Sequence, residues 1–423
     1  MYLAQLADPY STEYSVDCFF DISGAKKEIV HSAVSDMIRS HEILHSRYEE
    51  RNGMPVRILT DDYPRILWMT APSLAAAQEV ALQQKVPFDL KEVPVRFTGY
   101  ELPGDRILIR MEIHHIAFDG RSVTIWQKEL FNRLRGDSPA RESDLSMRAG
   151  AAYDFEPGLE FYRKLFSDGV PIHEMPLKSP RGRNHPGADR EIAVPFPEER
   201  IARLNDVAKA CGVTTFSFLL AGISIVLGVY CGSEDVTLGF PVDMRGEEEK
   251  NMAGMFINTA IFRLKPAATK PLSEYLREVS RMVRDAAHDK WLPMSEVIRT
   301  LRIAPDKSRN PVFDVGVNYL FTPELCREGK LSVAFSYELQ TLRRDMNITM
   351  HRHDGHMDML VRYASELFDE ALIRRFLEQL SYTLSRMSDS PNATIAQVCL
   401  LPPAQMEMVR RFSRNAQRFI VDR

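Results

Sequence analysis

Between Ala25 and Leu44, Val30, Val34, Met37, His41 and Leu44 fall at three- and four-residue steps. This spacing predicts an amphipathic helix with one stripe against a core. From Ile107 to Ile113 the period changes to two, with Ile107, Ile109, Met111 and Ile113 on one face and Leu108, Arg110 and Glu112 on the other. That alternation predicts a strand, and it runs straight into His114 and His115. After Gly120 the helical period returns on Val123, Trp126, Leu130 and Leu134 and stops near Gly136. The local unit is strand, histidine-bearing loop, helix.

Further along, PLKSPRGRNHPGADR, from Pro176 to Arg190, carries three prolines, two glycines and four cations among few apolar residues. Such a segment cannot pack a core. It is therefore expected to link an N-terminal lobe, 1–175, to a C-terminal lobe, 191–423. The second half opens with a helix on Ile201, Leu204, Val207 and Cys211, followed by an apolar helix from Phe216 to Tyr230. Strands are predicted near 236–242 and 256–264, then a helix from Pro271 to His288. Strands near 312–320, 331–337, 346–351 and 357–363 precede a last helix from Asp369 to Met387. Both halves mix strands and helices, so the expected class is α/β with mixed sheets.

The 423 residues, 44% of them hydrophobic, suffice for two or three cores and exclude disorder, collagen and a small disulfide scaffold. A net charge of -4, from 54 Lys plus Arg and 58 Asp plus Glu, argues against a global electrostatic grip on nucleic acid or an anionic membrane. The longest apolar run is broken by Ser217, Gly222, Ser224 and Gly228 and falls short of a span. Five scattered cysteines form no CxxC pair, so reduced structural thiols are expected. Asp8 and the lack of a basic n-region speak against a secretion signal at Met1 to Pro9, and the expected location is the cytoplasm.

The residues richest in chemistry are His114-His115-Ile116-Ala117-Phe118-Asp119-Gly120, an HHxxxDG sequence between strand and helix. A histidine accepts or positions a proton near neutrality, a carboxylate four residues on can brace the loop through an arginine, and glycine permits backbone geometry that other residues resist. On residue types alone, a packed and hydrogen-bonded histidine pair is the competing account. His351-Arg352-His353-Asp354-Gly355-His356 has the composition of a metal site, but Asp-Gly between alternating stretches signals a tight hairpin. No metal or dissociable cofactor is expected. There is no Gly-rich phosphate loop and no GxSxG elbow.

In this context the chain resembles the condensation domains of nonribosomal peptide synthetases, relatives of chloramphenicol acetyltransferase. Ser40 to Leu44 is similar to the family's RHExLR, His114 to Ser122 to HHxxxDGWS, and Tyr153-Asp154-Phe155 to the core of YxDFA. Gly254 to Thr259 is similar to GxFVNT, His288-Asp289 with Leu292-Pro293 to HQDxPFE, and Lys307 to Pro311 to DxSRNP. The series keeps the family's order and spacing. Ser40 replaces Arg and Arg121 replaces Trp, which implies a more polar wall beside the loop. Leu320 and Phe321 stand where the family has Gln-Asn. The opening SxAQxR is missing and Met1-Tyr2-Leu3 look like its continuation, as expected of a trimmed or excised piece.

The resemblance implies two acetyltransferase-like lobes in a V with a tunnel between them. It also implies amide-bond formation between a donor thioester and an acceptor amine, both carried on phosphopantetheine arms. His115 would be the central catalytic residue, as general base or positioning group. His114 would hold the loop, the Gly120 N–H would face the oxyanion, and Asp119 with Arg245 would form a structural brace. Partners would be donor and acceptor peptidyl carrier proteins and a neighbouring adenylation domain, around a monomeric chain. Three other readings compete: an epimerization domain, a stand-alone acyltransferase, and a docking module that only recruits carriers. The GxFxNT and SRNP matches favour condensation over epimerization, DFGWG of plant-type acyltransferases is absent, and the second histidine, which a docking module would have lost, is intact.

Overall fold

The structure is a computed structural model, which describes residues 1–51, 54–83, 85–137, 154–182, 188–304, 306–321, 325–339, 344–353 and 356–411. The chain forms two compact units. The first comprises Met1–Tyr153, Asp243–Ile257 and Pro323–Thr341, and the second Asp154–Val242, Asn258–Thr322 and Leu342–Arg423.

The first unit begins with a short helix, α1 (Tyr2–Ala7), then β1 (Ser15–Ser23), α2 (Lys27–Ser40), a hairpin of β2 (Ser46–Arg51) and β3 (Met54–Leu59), β4 (Ile66–Thr70), α3 (Leu74–Gln83), β5 (Val95–Leu102), β6 (Arg106–His114) and α4 (Gly120–Arg135). The predicted helix over 25–44 is shorter than expected, because the chain turns at His41 and passes through a 3-10 turn, Glu42–His45. β1 has buried residues on both faces, from Val16 to Phe20. One face packs Phe20, Ile22, Ile109 and Met111 against Val34, Met37, Trp126 and Leu130 of α2 and α4. The other packs Phe19, Tyr100 and Leu108 against Ala77 and Ala81 of α3. Each large apolar side chain so buried contributes roughly 1.5–3 kcal/mol. Helix α4 stops at Gly136, whose φ of 87° gives a left-handed cap.

The second unit contains α5 (Glu156–Leu165), β7 (Asp189–Phe196), α6 (Glu198–Ala210), α7 (Thr215–Cys231), β8 (Val236–Asp243), β9 (Ile257–Leu264), α8 (Leu272–His288), α9 (Met294–Thr300) and β10 (Val315–Phe321). After β11 (Cys326–Glu328) and β12 (Leu331–Leu339), which belong to the first unit, it continues with β13 (Met346–His353), β14 (His356–Ala364), α10 (Glu370–Asp389) and α11 (Ile395–Val398). Its sheet runs β7-β14-β13-β10-β8-β9. Leu238, Val317, Ile348 and Met359 face Phe218, Ile225, Leu276 and Phe376 of the helices. Helix α7 is buried nearly all round, as an all-apolar helix must be, and its Ser224 hydroxyl is satisfied by Ala221 O and Tyr275 Oη at 2.8 and 2.7 Å. Among the described residues no single helix is long and apolar enough to cross a membrane.

The mixed α/β class is as expected. The division differs from the expected 1–175, 176–190 and 191–423, for two physical reasons. Helix α5 belongs to the second unit, where Tyr162 Oη accepts from Ile261 N at 3.3 Å and Leu159 packs with Leu292 and Val297. Conversely, β12 pairs antiparallel with β1 over eight residues, Val16↔Leu339 to Ser23↔Ser332, completing the first sheet in the order β11-β12-β1-β6-β5-β4. Strand β10 starts three residues later than predicted, since Asn310 Oδ1 accepts from Val312 N and Phe313 N and holds a turn there. At 351–356, β13 and β14 are antiparallel with His353 opposite His356. Asp354 and Gly355, where the tight turn was expected, lie outside the described residues, as does Tyr153.

Gly24 is the tightest point of the β1 to β12 seam. Its φ is +80°, and a Cβ there would lie 2.3 Å from Lys330 O. Gly24→Ala is therefore expected to cost about 1–3 kcal/mol of stability. Urea unfolding checks this, with an unchanged midpoint contradicting the seam's tightness.

Candidate active site

All five residues expected at the site belong to the first unit. Strand β6 ends on His114 and α4 begins at Gly120, so the loop spans only five residues. Asp119 is the N-cap of α4, in extended conformation, and its Oδ1 accepts from Ser122 N at 2.8 Å. That bond satisfies one of the unpaired N–H groups every helix start exposes.

The same carboxylate anchors a second chain segment. Arg245 Nη1 donates to Asp119 Oδ2 at 2.8 Å and Nη2 to Oδ1 at 3.0 Å, a bidentate pair whose side chains are 1% and 0% exposed. Desolvating two charges is costly unless their remaining hydrogen-bonding capacity is met. Here it is met. Arg245 Nε donates to Met252 O at 3.0 Å, Nη1 also to Asp243 Oδ1 at 3.2 Å, and Nη2 also to Ser122 Oγ at 2.9 Å. Asp119 Oδ2 also accepts from Phe256 N at 2.9 Å. Ser122 Oγ accepts from Gly254 N at 2.8 Å, with Asp119 Oδ1 and Gly254 O each 2.8 Å away for its proton. The guanidinium lies 4.3 Å from the Phe256 ring centroid, a cation–π contact.

The two histidines have different surroundings. His114 is 1% exposed. Its Nδ1 accepts from Ile116 N at 3.1 Å, and its Nε2 faces Gln5 Oε1 at 3.2 Å. The rings of Tyr14 and Phe88 stand 5.5 and 6.2 Å from its own. Burial, and secondarily the neighbouring His115 imidazole, push its pKa down to about 3. His115 is half-buried, and its backbone N–H donates to Tyr14 O at 2.7 Å. Its Nδ1 is buried with no hydrogen-bond partner among the described residues.

Gly120 is exposed, and a Cβ built there meets no atom within 4 Å. Its φ is not in the left-handed range. The expected reason for glycine, special backbone geometry, is thus replaced by open space. Arg121 is exposed, and donates to Asp243 Oδ2 and Lys250 O, both at 3.0 Å; the polar character expected there is present. At the end of β10, Leu320 is half-buried and Phe321 is 61% exposed.

Most other motif residues hold turns and helices together. His41 Nε2 lies 2.7 Å from Glu129 Oε2, tying α2 to α4. Asn258 Nδ2 donates to Lys290 O and Leu292 O at 2.9 and 2.6 Å, and Arg309 Nε to Asp314 Oδ2 at 3.0 Å. Among the described residues no three His, Cys, Asp or Glu side chains converge as a metal site. Gln5 and Tyr14, which support the histidines, were passed over in the sequence: Ala4-Gln5 matches the Ala-Gln of the SxAQxR pattern expected to be missing, and Tyr14 acts through its carbonyl, which has no side-chain signature.

The profile of the condensation-domain family matches residues 1–409, and the chain belongs to that family. Tyrocidine synthase 3 of Brevibacillus parabrevis is 25% identical over an alignment of 442 residues, which takes in 100% of this chain and 7% of that protein. The chain thus spans a small fraction of the length of that relative. The fold is similar to the condensation domain from the Monacolin K polyketide synthase MokA, with a TM-score of 0.82, 17% identity, and coverage of 93% of this chain and 96% of that one. It is also similar to holo-AB3403, a four-domain nonribosomal peptide synthetase bound to AMP and glycine, with a TM-score of 0.81, 20% identity, and coverage of 93% of this chain and 33% of that one.

The brace and the buried imidazole each carry a measurable consequence. Asp119→Ala leaves the Arg245 cation buried without its carboxylate and is expected to cost about 3–5 kcal/mol. Asp119→Ala/Arg245→Leu should lose less than the sum of its single variants, as measured by a double-mutant cycle in urea. For the imidazole the consequence is a pH dependence. Because His114 is neutral in the fold down to about 3, while an unfolded histidine protonates below about 6.5, the unfolded state binds the extra proton between those values. The His114 contribution is complete above about 6.5 and falls by about 1.4 kcal/mol per pH unit below it. His114→Gln should show a shallower loss of melting temperature on acidification than the parent chain.

Proposed function

We propose that this chain is a condensing acyltransferase that joins a donor acyl or peptidyl thioester to the amine of an acceptor aminoacyl thioester. Both substrates arrive on phosphopantetheine arms of carrier proteins. One observation carries the reading. Across the seven-residue motif, His114, Ala117, Phe118 and Asp119 are at most 2% exposed, while His115 and Ile116 are half-buried and Gly120 is exposed. On this reading the buried residues hold the His115 ring and the Gly120 N–H ready for a reactant.

In the reaction the amine lone pair attacks the thioester carbonyl, the new C–N bond forms, and the C–S bond breaks to release a thiol. His115 Nε2 accepts the amine N–H and holds the nucleophile on line. The proton passes to the imidazole as the bond forms and leaves on the departing sulfur. Among the described residues no partner bonds His115 Nδ1. A long-lived imidazolium therefore lacks the carboxylate support of a Ser-His-Asp arrangement, which favours transfer concerted with attack over prior removal of the proton. Gly120 N–H, at the first turn of α4, has no partner within its helix and is suited to the carbonyl oxygen as it gains charge. The absence of a side chain at 120 leaves room for that carbonyl.

Asp119 and Arg245 act as a brace and need not touch substrate. Carrier proteins and an adenylation domain are the partners this reading requires, which agrees with similarity to a synthase far longer than this chain.

Intact-mass spectrometry of an acceptor carrier, after mixing with aminoacyl-loaded donor and acceptor carriers, tests the proposal. The acceptor should gain the donor mass with the parent chain and not with His115→Ala. A folded His115→Ala chain with unchanged turnover would sink the assignment; stereochemical inversion without mass gain would point to epimerization. Gly120→Ala should reduce turnover by on the order of 10–100-fold, by crowding the reacting carbonyl, without lowering the melting temperature, since the added Cβ meets no protein atom within 4 Å.

A further inference from the structure

We infer that Gln5 is a positioning residue for the reaction: by fixing His114 as the Nε2–H tautomer, it sets the loop that aims His115. This rests on the function proposed above. Gln5 lies in α1, 109 residues before His114, and is 4% exposed.

The argument begins with the amide. Gln5 Nε2 faces three backbone carbonyl oxygens, those of Pro9, Ser11 and Phe88, at 3.4, 3.1 and 3.4 Å. Carbonyl oxygens only accept, so the NH2 end of the amide must point to them and Oε1 must point the other way. Oε1 then meets His114 Nε2 and, itself an acceptor only, requires a proton on that nitrogen. With the proton on Nε2, a neutral imidazole keeps a lone pair on Nδ1, where the Ile116 N–H arrives at 3.1 Å. Each step fixes the next.

Flipping the amide would place NH2 against N–H at one end and oxygen against three oxygens at the other. Protonating His114 would set an Nδ1–H against the Ile116 N–H. Either change breaks the bond that shapes residues 114–116. His115 lies between these two, fastened by its own N–H to Tyr14 O, so a shift of the loop redirects its ring. The lock also keeps His114 uncharged, so no cation sits beside His115 when its imidazole receives the proton.

The test uses 15N-histidine NMR of the whole chain, with His114→Ala for assignment, alongside the carrier mass assay. The parent should show His114 as a neutral Nε2–H tautomer that does not titrate between roughly pH 5 and 8. Gln5→Met leaves only the Ile116 N–H to select the tautomer, so it should shift and broaden the Nε2 signal and drop turnover by on the order of 100-fold at every pH, as misplacement of a reacting group does. Gln5→Glu gives the diagnostic profile. While protonated, the new carboxylic acid imitates the amide, its O–H donating to one carbonyl and its C=O accepting from His114. Once ionised, it repels all three carbonyl oxygens and favours the His114 imidazolium. Its turnover should therefore fall as pH rises through the acid's pKa, a limb absent from the parent.

An Nδ1–H or titrating His114 in the parent overturns the inference, as does Gln5→Met with the parent signature and turnover. A confirmed tautomer lock with no mass gain on any acceptor would refute the condensing function and leave the lock standing.

Discussion

The buried ion pair of Asp119 and Arg245 is the constraint on which the site depends. One carboxylate caps α4, receives a bidentate guanidinium, and takes the Phe256 amide hydrogen. It thereby fixes both ends of the problem: where the helix starts, and where a segment 126 residues later must lie. A hydrophobic contact would supply comparable free energy without direction. The paired charges accept only a narrow geometry, because each unmet hydrogen bond at such a depth is expensive. Ser122 and Gly254 exchange bonds across the same junction, so neither segment can slide along the other.

Around that junction the fold separates groups bonded within the protein from groups left open. Gln5, His114 and Asp119 use nearly all their side-chain polar capacity on the protein itself. The His115 ring and the start of α4 do not. Several sequence motifs belong wholly to the bonded set: Asn258 holds the turn at 290–292, and His41 joins α2 to α4. A motif of this kind encodes the position of a loop and need not mark contact with a substrate.

How much of this was legible in the chain follows from the range over which each signal acts. Strand β6, the loop and α4 were readable because alternation, helical period and the stop at Gly136 are local. β1 was not, because Cys18, Phe19 and Phe20 are all buried and erase the period-two pattern. The two units were misdivided, since a linker-like composition at 176–190 says nothing about residues 243–257 and 323–341 crossing back. The Asp119 to Arg245 brace came through family likeness, whereas its backbone partners at Met252, Gly254 and Phe256 have no side-chain signature. Gln5 shows the same limit: its role depends on which end of its amide faces the carbonyls, which only three dimensions decide.

The placement of β12 beside β1 has a consequence for the birth of the protein. At ribosomal rates of about 5–20 residues per second, the roughly 200 residues separating β6 from β12 take on the order of 10–40 s to make. Throughout that interval β1 has only one of its two neighbours, and its other edge offers a row of free amides and carbonyls beside Phe19 and Phe20. The nascent first sheet is thus an unfinished template, open to mispairing until its own distant strand arrives. Cover for that open edge while the middle of the chain is made is what lets this topology complete itself.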